Sequence, residues 1–256
     1  LRVAVLISGE PRFCSDFDKF MSSLLNYTRI DYFFYLWKTS PIELADRRWN
    51  LVSDRWRDVD ESWAKEKIKS NINLPNHHVV QVEFGNQDIL SVPSTNHKAR
   101  ETNLHNVWHM HQAWIKVNLL RRQHQEQENF TYDLVINGRL DITINPIDLQ
   151  AVYNQLMEKS NSIMTILEPL YGYGPNKIND NFTIGLESAM DTYMQIGHST
   201  IKYNDKDRIL FHPETLLAHH LKSNKIKDIK KDFGMQLRNG WKRGDPFYTS
   251  DFGRWA

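Results

Sequence analysis

The sequence predicts an α/β fold built on a mainly parallel, doubly wound sheet, and three observations carry that prediction. Short, almost wholly apolar runs such as Val3–Ile7 and Asp31–Trp37 read as strands buried on both faces. Between such runs lie segments with apolar residues at helical spacing, and strand alternating with helix implies parallel strands joined by right-handed crossovers. The 256 residues, 40% hydrophobic and 25% charged, have globular composition and enough length to bury a large core.

Taken in order, Arg2–Ile7 is the first strand, and Ser8-Gly9-Glu10-Pro11 turns the chain after it. Ser15–Leu25 carries Phe17, Phe20, Met21, Leu24 and Leu25 at helical spacing, with Ser15 as N-cap. Asp31–Trp37 is a second strand, rich in aromatics. Lys38–Lys69 is polar and Trp-rich, irregular at first and helical through Glu61–Lys69. His78–Glu83 is a third strand. Asn103–Gln125 is a long helix, in which Leu104, Val107, Trp108, His111, Trp114, Ile115, Leu119 and Arg122 recur at three and four residues. Tyr132–Ile136 is the next strand, Ile147–Glu158 a helix and Ser162–Leu167 a strand. Asn181–Gly185 is a short strand leading into a helix over Glu187–Ile196, and Pro213 opens a helix that ends at Leu221. No repeat, low-complexity tract or linker divides the chain, so a single domain over 1–256 is expected. Beyond Asp232 the chain is rich in Gly, Arg and Trp without periodicity, and 232–256 reads as a C-terminal lid.

Charge and cysteine content exclude several classes. Thirty-two basic against 31 acidic residues leave a net charge of +1, which gives no reason to expect nucleic acid as a partner. One cysteine, Cys14, rules out an intrachain disulfide and suggests a reducing, cytoplasmic compartment. Three N-x-[ST] sequons, at Asn26, Asn129 and Asn181, are of a kind that arises often by chance. No apolar run approaches the roughly 20 residues of a membrane span.

Parallel sheets hold ligands outside the carboxyl ends of their strands. That rule singles out Ser8–Arg12, Trp37–Thr39, Gly138–Asp141 and, more loosely, Leu167–Tyr173. At the first, Gly9 lets backbone approach a ligand closely and Arg12 offers a forked cation suited to phosphate. The loop matches neither GxGxxG nor a P-loop. At the third, an apolar strand ends in Gly138-Arg139-Leu140-Asp141, and the two-residue alternation points Arg139 and Asp141 the same way. Asp141 could hold one divalent cation completed by phosphate oxygens and water, because Mg²⁺ and Mn²⁺ need few protein ligands there. A local Arg–Asp salt bridge is the structural alternative.

Asn179-Asp180-Asn181 is either ordinary turn chemistry or a polar cluster in which Asp180 serves an acceptor hydroxyl as base. Eleven histidines invite a metal reading, since His105 and His109 have i,i+4 spacing, but no HExxH pattern accompanies them. His212, His219 and His220 surround Glu214 near a helix start, where capping and packing compete with a metal role. In the tail, Trp241, Lys242 and Arg243 suit a lid that covers an anionic donor, with a cation paired to phosphate.

Together these pieces resemble the glycosyltransferase-like proteins of the GT-A, or nucleotide-diphospho-sugar transferase, fold found in bacteria, algae and large-genome viruses and phages. The resemblance lies in Arg2–Arg12, Asp31–Trp37, Tyr132–Asp141, Asn179–Gly185 and Pro213–Leu217, in the expected order over about two thirds of the chain. It implies a Rossmann-like sheet, a nucleotide-sugar donor, usually uridine-linked, and an acceptor hydroxyl. It also implies Mn²⁺ or Mg²⁺ at a DxD motif. Here Arg139 stands where the first Asp of that motif would be, leaving Asp141 as the metal ligand. Asp180 matches the acceptor-side acid, and Glu214 occupies a later acidic position. Donor contacts would then come from Ser8, Gly9, Arg12, Arg139, Asp141, Trp241, Lys242 and Arg243. A nucleotidyltransferase of the same architecture and a non-catalytic carbohydrate-binding or scaffold protein are the competing readings.

Overall fold

The computed structural model describes residues 1–9, 17–41, 56–58, 60–86, 101–140, 142–167 and 178–237. β1 (Arg2–Gly9) lies in the interior of the central sheet because both its faces are apolar. Val3, Val5 and Ile7 pack into one hydrophobic layer, and Ala4 and Leu6 into the other. After α1 (Phe17–Ser22) and the two-residue β2 (Leu24–Leu25), β3 (Arg29–Trp37) lies parallel to β1. β4 (Thr39–Pro41) and β5 (Trp56–Asp58) form a small antiparallel pair. α2 (Glu61–Asn71) starts at Asp60, whose carboxylate accepts from Trp63 N at 2.9 Å, and precedes β6 (His77–Gly85), parallel to β3. α3 (Glu101–Glu128) carries the chain back to β7 (Leu134–Gly138), parallel to β1 on its other side. Then come β8 (Ile142–Thr143), β9 (Ile147–Asp148), α4 (Leu149–Met157), β10 (Ser162–Ile166), β11 (Thr183–Gly185), α5 (Glu187–Met194), α6 (Thr200–Asp205), α7 (Pro213–Ser223), β12 (Lys227–Lys231) and β13 (Gln236–Leu237).

The seven strands of the central sheet run β12-β10-β11-β7-β1-β3-β6. Every pairing is parallel except the two made by β11, which runs against both β10 and β7. The expected mainly parallel α/β sheet is therefore present, with one reversed strand. Helices cover both faces. Phe20 and Met21 of α1, Ala64 and Ile68 of α2, and Leu149 and Val152 of α4 fill one layer; α3, α5 and α7 fill the other.

One polar cluster is buried in the second layer. Arg121 of α3 is fully buried and bonds Asn118 Oδ1, Gln125 Oε1 and Asp191 Oδ1, with Glu187 Oε1 at 3.0 Å. It thereby locks α3 to α5. Beside it, α3 and the 3₁₀ turn Gln195–His198 approach so closely that a Cβ on Gly197 would stand 2.8 Å from the His111 carbonyl oxygen. That contact explains a glycine there.

Several boundaries differ from the sequence expectation. The helix expected over Ser15–Leu25 ends at Ser22, where Ser23 turns its hydroxyl onto the Lys19 carbonyl at 2.6 Å; Ser15 itself lies outside the described residues. Leu24 and Leu25 pair instead with Ile147 and Asp148. The helix expected from Ile147 begins at Leu149, because Asp148 caps it by accepting from Ala151 N at 3.1 Å. β12 reads KDIKK, a polar edge strand without the apolar signature used for the others.

Two of the α3 histidines, His109 and His111, pack against neighbouring side chains. His111 is fully buried, with Nδ1 2.8 Å from Thr200 Oγ1, and burial pushes its ring down to about 3. His109 packs edge-on against Trp37. The side chain of His105 lies outside the described ones. No described helix is long and apolar enough to cross a membrane.

Candidate functional site

β1 is the point where the strand order changes direction, since β3 and β6 lie to one side of it and β7 to the other. The carboxyl ends of β1 and β7 are neighbours there, with Ile7 paired to Gly138. A crevice outside such a switch point is the usual ligand position in open parallel sheets. Ser8 and Gly9 leave β1 at this edge and Arg139 leaves β7.

Gly9 has φ +106°, in the range that glycine adopts without strain, and a Cβ built on it would meet nothing within 4 Å. Its requirement is thus conformational rather than steric. A Cβ on Gly138, by contrast, would make only ordinary contacts of 3.5 Å with Ile7 and Phe20. At the end of β3, Trp37 is buried against Tyr35 and His109 and serves the core.

Because β11 runs in reverse, its start lies at the same edge as the exits of β1 and β7. That direction brings Asn179, Asp180 and Asn181 to the Arg139 strand end. Arg139 donates from Nη1 to Asn181 Oδ1 at 3.0 Å, and Asn179 Oδ1 accepts from Asn181 N at 2.8 Å, fixing the turn. α7 closes the cluster from the side. Ile178 N donates to the Glu214 carbonyl at 3.3 Å, tying the segment before Asp180 to the first turn of α7. A carboxylate in that first turn is favoured by the helix dipole. His212 Nδ1 stands 2.5 Å from Glu214 Oε2, close enough for an ion pair although not aligned as a hydrogen bond.

The electrostatics follow from these positions. Burial, reinforced by the Glu214 charge, pushes the half-buried Asp180 carboxyl up to about 6, while Arg139 and His212 pull it the other way. Beneath the cluster, Asn137 of β7 is 2% exposed, pairs in register with Thr183, and keeps a buried Oδ1 without a hydrogen-bond partner. Thr183 donates from Oγ1 to the Tyr193 hydroxyl at 3.1 Å, and burial raises the Tyr193 phenol.

Of the residues expected from sequence, Ser8, Gly9, Arg139, Asp180 and Glu214 are brought to one edge of the sheet. Arg12, Asp141, Trp241, Lys242 and Arg243 lie outside the described residues, as do the 238–256 part of the expected lid and positions 168–177 after β10. Sequence reasoning gave no role to Asn137. It left Asn181 between turn chemistry and a polar cluster around Asp180, and His212 between capping, packing and a metal role. Asn181 could have been suspected from its place beside Asp180; the Asn137 and His212 contacts depend on sheet order and helix docking.

Among the described residues, no group of three or more His, Cys, Asp and Glu side chains is placed to hold a metal ion. Those residues fit an anion met by a guanidinium, next to a carboxylate pair of which one member, Asp180, is pushed up to about 6 by burial. A crevice of about 570 Å³, lined by Gln125, Glu126, Asn129, Glu187 and Asp191 among others, is at the opposite edge, since Glu187 follows the exit of β11. Its open shape and its use of side chains already bound to Arg121 make it a poorer candidate than the strand-end cluster. No model of a known protein family and no curated protein matches the chain.

Proposed function

We propose that the chain is a glycosyltransferase of GT-A type, moving a sugar from a nucleoside-diphosphate donor, with uridine the first base to try, to an acceptor hydroxyl. The observation that carries this reading is the meeting of Arg139 with the Asp180–Glu214 carboxylates at the switch point between β1 and β7.

The sheet supports it in its first half. Counted along the central sheet, β6-β3-β1-β7 has the 3-2-1-4 order of nucleotide-binding doubly wound sheets. The reversed β11 then supplies what an acceptor needs, a carboxylate next to the donor side. In this reading Arg139 neutralises the diphosphate as it leaves, its planar fork matching two phosphate oxygens. Ser8 and the open backbone at Gly9 border the same phosphates. Asp180 takes the acceptor proton as the new glycosidic bond forms. A divalent cation on Asp141, when bound, would add charge neutralisation to the leaving diphosphate.

Isothermal titration with UDP and GDP, with and without Mn²⁺, followed by product analysis with UDP-sugars, tests the proposal. Nucleoside diphosphate released from the sugar donor is the expected product. Release of pyrophosphate from a nucleoside triphosphate would instead indicate a nucleotidyltransferase, and no binding of either diphosphate at millimolar concentration would sink the reading.

A further inference from the structure

We propose that the acceptor is an anionic glycan, held along β12 by a line of lysines that ends at the acceptor side of the strand-end cluster. The inference rests on the glycosyl-transfer reading and adds to it the chemical class of the acceptor.

Positive charge is concentrated here although the chain as a whole is balanced. Residues 222–231 hold five lysines, Lys222, Lys225, Lys227, Lys230 and Lys231, and a single acid, Asp228, in a chain of net charge +1. They occupy the last turn of α7, the turn after it, and β12, the outer strand of the described sheet. Asp228 does not neutralise them as a group. Its side chain is 12% exposed, accepts from Thr165 Oγ1 at 2.6 Å and faces Lys230 Nζ at 2.8 Å. Among the described residues, Lys222, Lys225, Lys227 and Lys231 make no ion pair, and the first three are exposed. Lysines on an edge strand also discourage pairing with another chain, but that role ends with the strand, whereas this run begins before it.

Strand register connects this line to the site. β12 runs parallel to β10, and the two reversals through β11 make β10 parallel to β7, so Lys230 and Lys231 lie at the edge where Arg139 leaves β7. Lys230, Thr165, Thr183 and Asn137 are level with one another across β12, β10, β11 and β7. Two strand spacings, roughly 10 Å, therefore separate Lys230 from Thr183, which follows Asp180 closely in the chain. With the donor over the exits of β1 and β7, an acceptor whose hydroxyl meets Asp180 extends the other way, over β10 toward β12. A neutral oligosaccharide leaves Lys231 unmatched. Carboxylate or sulfate groups spaced along a glycan meet Lys231 and then Lys227, about 13 Å further along the strand. Exposed pairs of this kind are individually weak and gain strength through their number, which suits a polymer that is released after each transfer.

The test uses the full chain. Isothermal titration compares hexagalacturonate and a heparin-derived hexasaccharide with neutral maltohexaose, at low and at raised NaCl. At least one acidic fragment is expected to bind about ten-fold or more tightly than maltohexaose and to weaken as salt is raised. The double variant Lys227→Glu/Lys231→Glu is expected to lose about ten-fold or more of that affinity. Lys227→Gln/Lys231→Gln, which removes charge without reversing it, should show a smaller loss in the same direction and decides the matter if the reversal disturbs the circular dichroism. Equal affinity for acidic and neutral fragments, an affinity unchanged in both variants, or binding to phosphatidylglycerol vesicles in place of either fragment overturns the proposal. UDP titration of the same sample separates the two readings. UDP binding without acidic-fragment binding removes the acceptor assignment alone; acidic-fragment binding without UDP binding keeps the anionic-glycan site and removes glycosyl transfer.

Discussion

Arg139 and Asn181 are joined by a 3.0 Å bond that spans two strands of opposite direction, the exit of β7 and the start of β11. The guanidinium is thereby held at the edge where the parallel strands end. Cation and carboxylates are set side by side by this single reversal in the sheet.

Arg139→Ala removes the cation proposed to meet the diphosphate. Loss of a charge-assisted hydrogen bond is expected to weaken UDP binding by roughly 10- to 100-fold. Arg139→Lys should recover only part, because an ammonium lacks the fork. Isothermal titration of the two variants measures both effects.

Asp180→Asn should stabilise the fold above pH 6. The Asp180 carboxyl is raised to about 6, so its protonated form is the one the fold prefers. Stability from this group is complete below the unfolded value near 4 and is lost as pH rises through about 6. At pH 7 the neutral amide is expected to gain roughly 2–3 kcal/mol over the charged carboxylate, a gain that fades by pH 4. Urea denaturation at pH 4, 5.5 and 7 follows it. In the proposed mechanism the same titration governs the rate: kcat/KM should climb with pH up to about 6 and then level off, and the amide should lower kcat about 10²- to 10⁴-fold.

Gly9→Ala tests whether the β1 exit depends on backbone conformation. The built Cβ clashes with nothing, so the cost is that of holding alanine at φ +106°, on the order of 1–3 kcal/mol. Thermal unfolding should show the loss, and donor affinity should fall with it if Gly9 borders the phosphates.

Arg121→Ala tests the polar lock between α3 and α5. It leaves Glu187 and Asp191 facing each other without their cation, and breaking a buried ion cluster costs roughly 3–5 kcal/mol. Those acids are about one quarter exposed, so the lower end of that range is expected from chemical denaturation. Activity should survive in the folded fraction, since Arg121 lies at the edge away from Arg139.

Much of the sheet was legible because burial on both faces leaves a plain mark: Val3–Ile7 and Leu134–Ile136 are apolar at successive positions and fully buried. What escaped was set by partners distant in sequence. Leu24–Leu25 and Ile147–Asp148 each sit beside a helical pattern, and nothing local reveals that they pair with one another. β12, polar and at the edge, has no burial signal on its outer side. The direction of β11 was also hidden, because a strand alternates in the same way whichever way it runs. The location of the site came from strand ends alone. Its composition needed the order of the strands, which decides that Asn181, and not another amide, meets Arg139.

The reversal of β11 separates two kinds of evolutionary change. Residues before Thr183 border the ligand edge, whereas Leu186 and Glu187 after Gly185 border the opposite one. In the proposed reaction, insertions between β10 and β11 would vary the acceptor side without touching the β1 and β7 exits assigned to the donor. Acceptor preference and donor preference would then change separately, and one sheet would serve many pairings of the two.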